Sequence, residues 1–253
     1  MFKLGNNRKL GPLVHTWSLP VLHTCPGKSE VCKHVCYAKT GFLAYPSIKK
    51  AYRKNLAASR RDDFVDRAVF YLRELLVSRL RIHVSGDFYS NDYIDKWRSI
   101  IRRCRSVQFL AYTRSWNDSS LRANILRLGR EPNLSLWLSS DASMPRPPRT
   151  KLPVCYLSVS DEDQPAFKVD LVFRHRRRTI LKRTYNGGVV CPVENGVTKT
   201  TCSQCTICWQ GSNFKQKAKP AITAPDKVGK TGRVGAGLPA LSLALSSCRK
   251  AGS

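Results

Sequence analysis

From about residue 80 to residue 140 the chain alternates short apolar runs with amphipathic stretches, and this rhythm limits the folds open to it. Strands are expected at residues 81–85, 107–112 and 134–138, with a helix between each pair. The first helix of the gap series opens at Ser90 or Asn91 and carries Tyr93, Ile94, Trp97, Ile100 and Ile101. The next starts at Asn117 or Asp118 and ends at Gly129, read as a C′ glycine. Two helices precede the rhythm. One covers 47–61, with Tyr52 and Leu56 as an i, i+4 pair. The other is capped by Asp62 and has Phe64, Val65, Ala68, Val69, Leu72, Leu75 and Leu76 at helical spacing. Further strands are expected at 154–159 and 169–173. Such βα repetition implies an α/β protein with parallel strands, either a doubly wound sheet or a βα barrel. Residues 1–24 show no clear period and read as an extended lead-in.

Three of these strands end in small polar or charged residues: Ser85-Gly86-Asp87, Thr113-Arg114-Ser115 and Ser139-Ser140-Asp141. In parallel α/β folds, ligands bind at the carboxyl ends of the strands. One such end alone reads as a helix N-cap. Three in succession mark a ligand face.

Ten cysteines then ask for a chemistry. No secretory leader and no apolar run of membrane-spanning length is read, so metal ligation in a reducing cytoplasm is expected over disulfides. Cys25, Cys32 and Cys36 sit within a dozen residues, and Pro26-Gly27 supplies a turn that folds them together. Convergent thiolates suit zinc or an iron–sulfur cluster. Three ligands leave one position open for something that reacts. His23 or His34 is the alternative fourth ligand, which would close the site as structural zinc. Cys191, Cys202, Cys205 and Cys208 form a second group, for zinc or an auxiliary [4Fe–4S] cluster. Cys104, Cys155 and Cys248 stand alone and read as small buried hydrophobes or tail residues.

The net charge of +27 favours polyanionic partners, nucleic acid among them. The run Arg174-His175-Arg176-Arg177-Arg178, with Lys182-Arg183 after it, reads either as a phosphate grip or as a solvated edge. Arg60-Arg61 and Arg102-Arg103 read as exposed helix faces. From about Lys215 the composition turns to Ala, Gly, Lys and Pro, which predicts a disordered basic tail with a weak helix at 238–245. The expected organisation is a βα domain at 1–185, a four-cysteine module at 186–212 and the tail at 213–253.

The segments TCPGKSEVCKHVCYA, RIHVSGDFYS, FLAYTRSW and LSLWLSSD, followed by the closing cysteines, occur in the order found in the phage gene product 88 family. The chain resembles that family over roughly residues 10–210. More distantly, three cysteines ending in Cys-Tyr-Ala before a βα repeat resemble divergent radical S-adenosylmethionine (SAM) proteins. The gaps of six and three residues here depart from the three and two usual in that group. A related phage group has six and two.

The radical SAM resemblance implies a partial TIM-like barrel with the cysteine loop at the carboxyl ends of its strands. It implies that Cys25, Cys32 and Cys36 hold a [4Fe–4S] cluster whose open iron binds SAM for reductive cleavage. Tyr37 would pack by the cluster and the adenine. Asp87, with Ser85 and Gly86, would meet the SAM ammonium, and Arg114 the SAM carboxylate. Thr113, Ser139 and Asp141 would follow along the same face. An electron donor such as flavodoxin or ferredoxin would serve it, in the cytoplasm of the host cell for a phage-encoded protein. The rival expectation is a zinc-stabilised nucleic-acid-binding protein of a phage. A third is a cluster protein that senses redox state without SAM.

Overall fold

A computed structural model describes residues 4–160, 162–175, 184–195 and 200–213. The chain opens with β1 (Gly5–Asn6) and β2 (Val14–Trp17), then α1 (Glu30–Val35), α2 (Pro46–Ser59) and α3 (Phe64–Glu74). The repeat follows: β3 (Arg79–Ile82), α4 (Asn91–Arg103), β4 (Gln108–Thr113), α5 (Ser119–Leu128) and β5 (Leu134–Ser140). Next come β6 (Val154–Ser158), β7 (Leu171–Arg174), β8 (Thr184–Tyr185) and β9 (Gly188–Val190). Two short helices, α6 (Pro192–Asn195) and α7 (Cys202–Cys205), precede a 3-10 stretch at Ile207–Asn213.

All nine strands form one sheet in the order β1-β2-β3-β4-β5-β6-β7-β9-β8. The seven from β2 to β7 plus β9 run parallel, and β1 and β8 pair antiparallel at the edges. The protein is thus α/β with a parallel sheet. Strand order follows chain order from β2 to β7, without the reversal that creates a switch point in a doubly wound sheet.

Side-chain alternation divides the buried residues between the two faces of the sheet. Leu80, Ile82, Phe109, Ala111, Leu134, Leu136 and Leu138 join the core under the helices. There α4 buries Tyr93, Ile94, Trp97, Ile100 and Ile101, the five positions its period predicts. Trp17 packs against Phe64 and Trp97, and its indole N–H donates to the Tyr93 hydroxyl at 2.9 Å. The opposite face gathers Leu10, Val14, Leu110, Trp137, Cys155, Leu171, Cys191 and Trp209 into a second core. Cys104 and Cys155 are both buried, as expected for lone cysteines.

Several boundaries shift for visible reasons. The lead-in contains β1 and β2. Strand β3 ends at Ile82 because His83 turns the chain with a φ of 66°. Asp63, not Asp62, precedes α3, and its carboxylate takes the Arg61 guanidinium rather than capping the helix. Gly129 ends α5 in right-handed backbone, not as a left-handed C′ residue; a Cβ there would press on Leu152 at 2.7 Å. The expected tail beyond Asn213, with Cys248, and the basic residues 176–178 and 182–183 lie outside the described residues. Arg174 is buried, and the His175 amide donates to the Ser158 carbonyl. No helix among the described residues is long and apolar enough to cross a membrane.

Candidate metal centre at the strand ends

After β2 the chain runs across the carboxyl end of the sheet and is fastened there by backbone bonds. The Leu19 amide donates to the Ser85 carbonyl at 2.8 Å, and Ser85 Oγ returns a bond to the Leu19 carbonyl at 2.9 Å. The Asp87 amide donates to the Thr24 carbonyl at 2.9 Å. Gly86 approaches Leu19 and Thr24 closely. Gly27 lies directly on the end of β4: a Cβ at this position would stand 1.9 Å from the Arg114 carbonyl oxygen. Ser29 then caps α1, accepting from the Cys32 amide at 2.9 Å, and its hydroxyl donates to Asp141. The loop is therefore seated on the ends of β3, β4 and β5, the three ends that the sequence marks as a ligand face.

This seating brings the three thiols within one another's electrostatic range, short of an arrangement that holds a metal ion. Each pair among Cys25, Cys32 and Cys36 is close enough for their charges to interact. Burial pushes the Cys25 thiol up to about 12, and the Asp87 carboxylate adds to the shift. Burial also raises Cys32, against the pull of the Arg114 guanidinium. Metal coordination deprotonates a thiol outright, so a bound cation would reverse this balance. His23 and His34 are both exposed residues. A single tetrahedral zinc needs sulfurs about 3.8 Å apart, from bonds of about 2.3 Å. Among the described residues, no group of three His, Cys, Asp or Glu side chains is arranged to hold a metal ion.

The polar residues of the strand ends engage one another. Asp87 is buried and accepts bonds from Thr113 Oγ1, the Phe88 amide and the Arg114 amide, each at 2.7 Å. Burial raises its carboxyl to about 6, and the Thr113 and Arg114 bonds hold it from rising further. Arg114 Nη1 pairs with the fully buried Asp141 and also reaches Met144 Sδ. The second oxygen of Asp141 accepts from Ser143 Oγ and its amide. Ser139 gives its carbonyl to the Trp116 indole and its Oγ to the Cys155 thiol. Tyr37 directs its hydroxyl to the Val84 carbonyl, yet 55 % of the residue stays exposed. Ser29, Ser143, Met144 and Trp116 join this network without having been singled out from sequence. Only Ser29 carried a sequence signal, as a cap residue directly before Glu30.

The second cysteine group lies on the face of the sheet opposite α3, α4 and α5. Cys191 follows β9, Cys202 and Cys205 bound α7, and Cys208 lies in the 3-10 stretch. All six pairs among these thiols are close enough for their charges to interact, and burial raises each of them. The segment is fixed by bonds from the sheet: Ser135 Oγ to the Trp209 carbonyl at 2.6 Å, Trp137 Nε1 to the Cys208 carbonyl at 2.9 Å, and Arg79 to the Ser203 carbonyl at 2.9 Å. Arg81 lies 5.0 Å over the Tyr112 ring and is close enough to Tyr37, Cys202 and Cys208 for their charges to interact. Lys9 is lowered by burial and by Arg81, and feels Cys191, Cys202 and Cys208 in the opposite sense. Two cations thus stand near Cys191, Cys202 and Cys208, and one of them, Lys9, is also paired with Glu194.

A family model described as Gene product 88 matches residues 2–211. The chain belongs to the gene product 88 family. It is similar to the Gene 88 proteins of Mycobacterium phages D29 and L5, with 31% identity to each over 130 residues. These alignments cover 47% of this chain and 52% of each relative, so the chain spans about half the length of the curated relatives it matches. No solved structure matches it.

Proposed function

We propose that this gene product 88 protein is an iron–sulfur enzyme of radical SAM type, its first cysteine loop holding a [4Fe–4S] cluster with one open iron. The observation that supports this is the delivery of three thiols to the carboxyl ends of β3, β4 and β5. The sequential strand order supports a partial βα barrel, because successive right-handed crossovers place the helices on one side and curl the sheet. When bound, such a cluster supplies an electron to the sulfonium of SAM.

The chain's own residues would do the rest. Cys25, Cys32 and Cys36 would hold the cluster, with Arg114 favouring the Cys32 thiolate. Arg114 bonds Asp141 through Nη1, and a guanidinium has five N–H donors, which leaves capacity for a ligand carboxylate. The exposed ring of Tyr37 offers a face for a planar base. Asp87, already held by three donors, fixes Thr113 and Arg114 as much as it could meet an ammonium. At the second group, Arg81, and Lys9 alongside its Glu194 partner, would offset part of the charge that metal-bound thiolates carry, for zinc or a second cluster alike. A low-potential donor such as flavodoxin or ferredoxin is the partner this chemistry requires.

The test is an anaerobic preparation reconstituted with iron and sulfide, reduced with dithionite and given SAM. The electron paramagnetic resonance signal should change on SAM addition, and 5′-deoxyadenosine should accumulate. Cys32→Ala should abolish both. A colourless wild-type protein with stoichiometric zinc would overturn the proposal and leave the zinc-stabilised, nucleic-acid-binding reading.

A further inference from the structure

The chain after Cys36 carries a surface that the cysteine chemistry uses only at Tyr37. Tyr37, Phe42 and Tyr45 are 55 %, 62 % and 57 % exposed, within two 3-10 turns that pack together, Tyr37–Lys39 and Gly41–Ala44. The Phe42 and Tyr45 rings meet edge to face at 5.7 Å. Fixed aromatic faces turned to water are unusual, since such rings dominate cores and interfaces.

The charge around them has one sign. From Val31 to Arg61 there is no Asp or Glu, against Lys33, Lys39, Lys49, Lys50, Arg53, Lys54, Arg60 and Arg61. Lys49 and Arg53, and Lys50 and Lys54, stand one turn apart on α2, all four exposed. None of these four makes an ion pair among the described residues. The opposite side of α2 buries Asn55, Ala58 and Ser59, so the cationic side is the free one.

We propose that Phe42 and Tyr45, with the cationic face of α2, bind single-stranded nucleic acid beside the cysteine loop. Unpaired bases stack on aromatic rings while Lys and Arg follow the phosphates. Two other partners fit less well. A membrane surface would need large apolar side chains on the exposed side of α2, which instead shows Ser47, Ala57 and cations. The core of a protein interface is depleted of charge, whereas here four exposed cations follow directly on α2. Duplex nucleic acid offers phosphates but no free base faces.

The experiment is fluorescence anisotropy with the full chain and a labelled oligothymidylate or oligouridylate of about 15 nucleotides, set against a duplex of the same length. Wild type should prefer the single strand. Phe42→Ala/Tyr45→Ala should weaken single-strand binding by about fivefold or more and leave duplex binding unchanged. Phe42→Leu/Tyr45→Leu, which keeps the apolar bulk, should lose the same stacking. Lys49→Ala/Lys50→Ala should flatten the slope of log K against log salt by about 1.4, at about 0.7 per phosphate contact. Equal affinity for duplex and single strand, or full affinity in the aromatic variants, would overturn the proposal. None of these residues is a thiol, so iron content and SAM cleavage should be unaffected. Failure of the cluster proposal would leave the binding result standing, and the reverse also holds.

Discussion

Gly27→Ala tests whether the cysteine loop works by being seated on β4. The added Cβ would lie 1.9 Å from Arg114 O, 2.5 Å from Arg114 C and 2.8 Å from Ser115 Cα, all backbone atoms that cannot rotate away. Real Cβ contacts essentially never fall under 3.0 Å, so the two segments must part by at least the difference from 1.9 Å, about 1.1 Å. Forcing extra volume into a packed contact costs about 1–3 kcal/mol. Metal sites accept donor errors of about 0.2 Å, and this shift is about five times larger. The expected result is loss of most of the iron bound after anaerobic reconstitution, with a fall of about 1–3 kcal/mol in the metal-free protein's urea stability. Gly41→Ala is the control. Nothing lies within 4 Å of its Cβ position, and its φ of 58° makes the change cost about 1–2 kcal/mol of backbone strain alone. It should lose stability and keep its iron. If Gly27→Ala retains wild-type iron and stability, the seating on β4 does not organise the thiols.

Two further outcomes are expected. His83 is buried with its imidazole at the Tyr93 hydroxyl, and burial lowers its pKa to about 3 from the usual 6.5. The unfolded chain then binds a proton below pH 6.5 that the folded one refuses, so this contribution is complete above 6.5 and lost as pH falls. The loss should reach about 2 kcal/mol near pH 5 in urea melts, at about 1.4 kcal/mol per unit, and His83→Gln should flatten that slope. An unchanged slope would show that His83 is not held neutral. Cys205→Ser should lose the metal of the second group while the first loop keeps its iron, read from iron, zinc and sulfide counts. Loss of both together would mean the two centres are not separate.

The repeat was legible where elements are long or strongly one-sided. Five apolar residues at helical spacing announce α4, and the runs of β4 and β5 need no arbitration. By contrast, β2 spans only Val14–Trp17, and its neighbours bury both of its faces, so no alternation shows. Strand β9 was missed although Asn186-Gly187 gives a hairpin signal, borne out by positive φ at both residues. The strand-end face could be read because Ser85-Gly86-Asp87, Thr113-Arg114-Ser115 and Ser139-Ser140-Asp141 recur with the rhythm. Its wiring could not. The Arg114–Asp141 pair and the contact of Gly27 with Arg114 join segments far apart in sequence, and residue type alone does not announce such meetings. The seat of the second cysteine group on the face opposite α3, α4 and α5 was equally hidden, because it depends on which side of the sheet the returning chain takes.

On the face of the sheet opposite α3, α4 and α5, Cys202, Ile207, Cys208 and Trp209 pack over the buried residues, and they belong to the last of the described segments. A ribosome therefore produces Leu110, Trp137 and Cys155 well before their cover exists. In that interval an apolar surface faces water and is open to chaperones and proteases. Closing it sets Cys202, Cys205 and Cys208 beside Cys191, so a metal that binds only the closed arrangement holds it shut by mass action. If the second group holds a metal as proposed, metal supply would then set how many copies survive quality control.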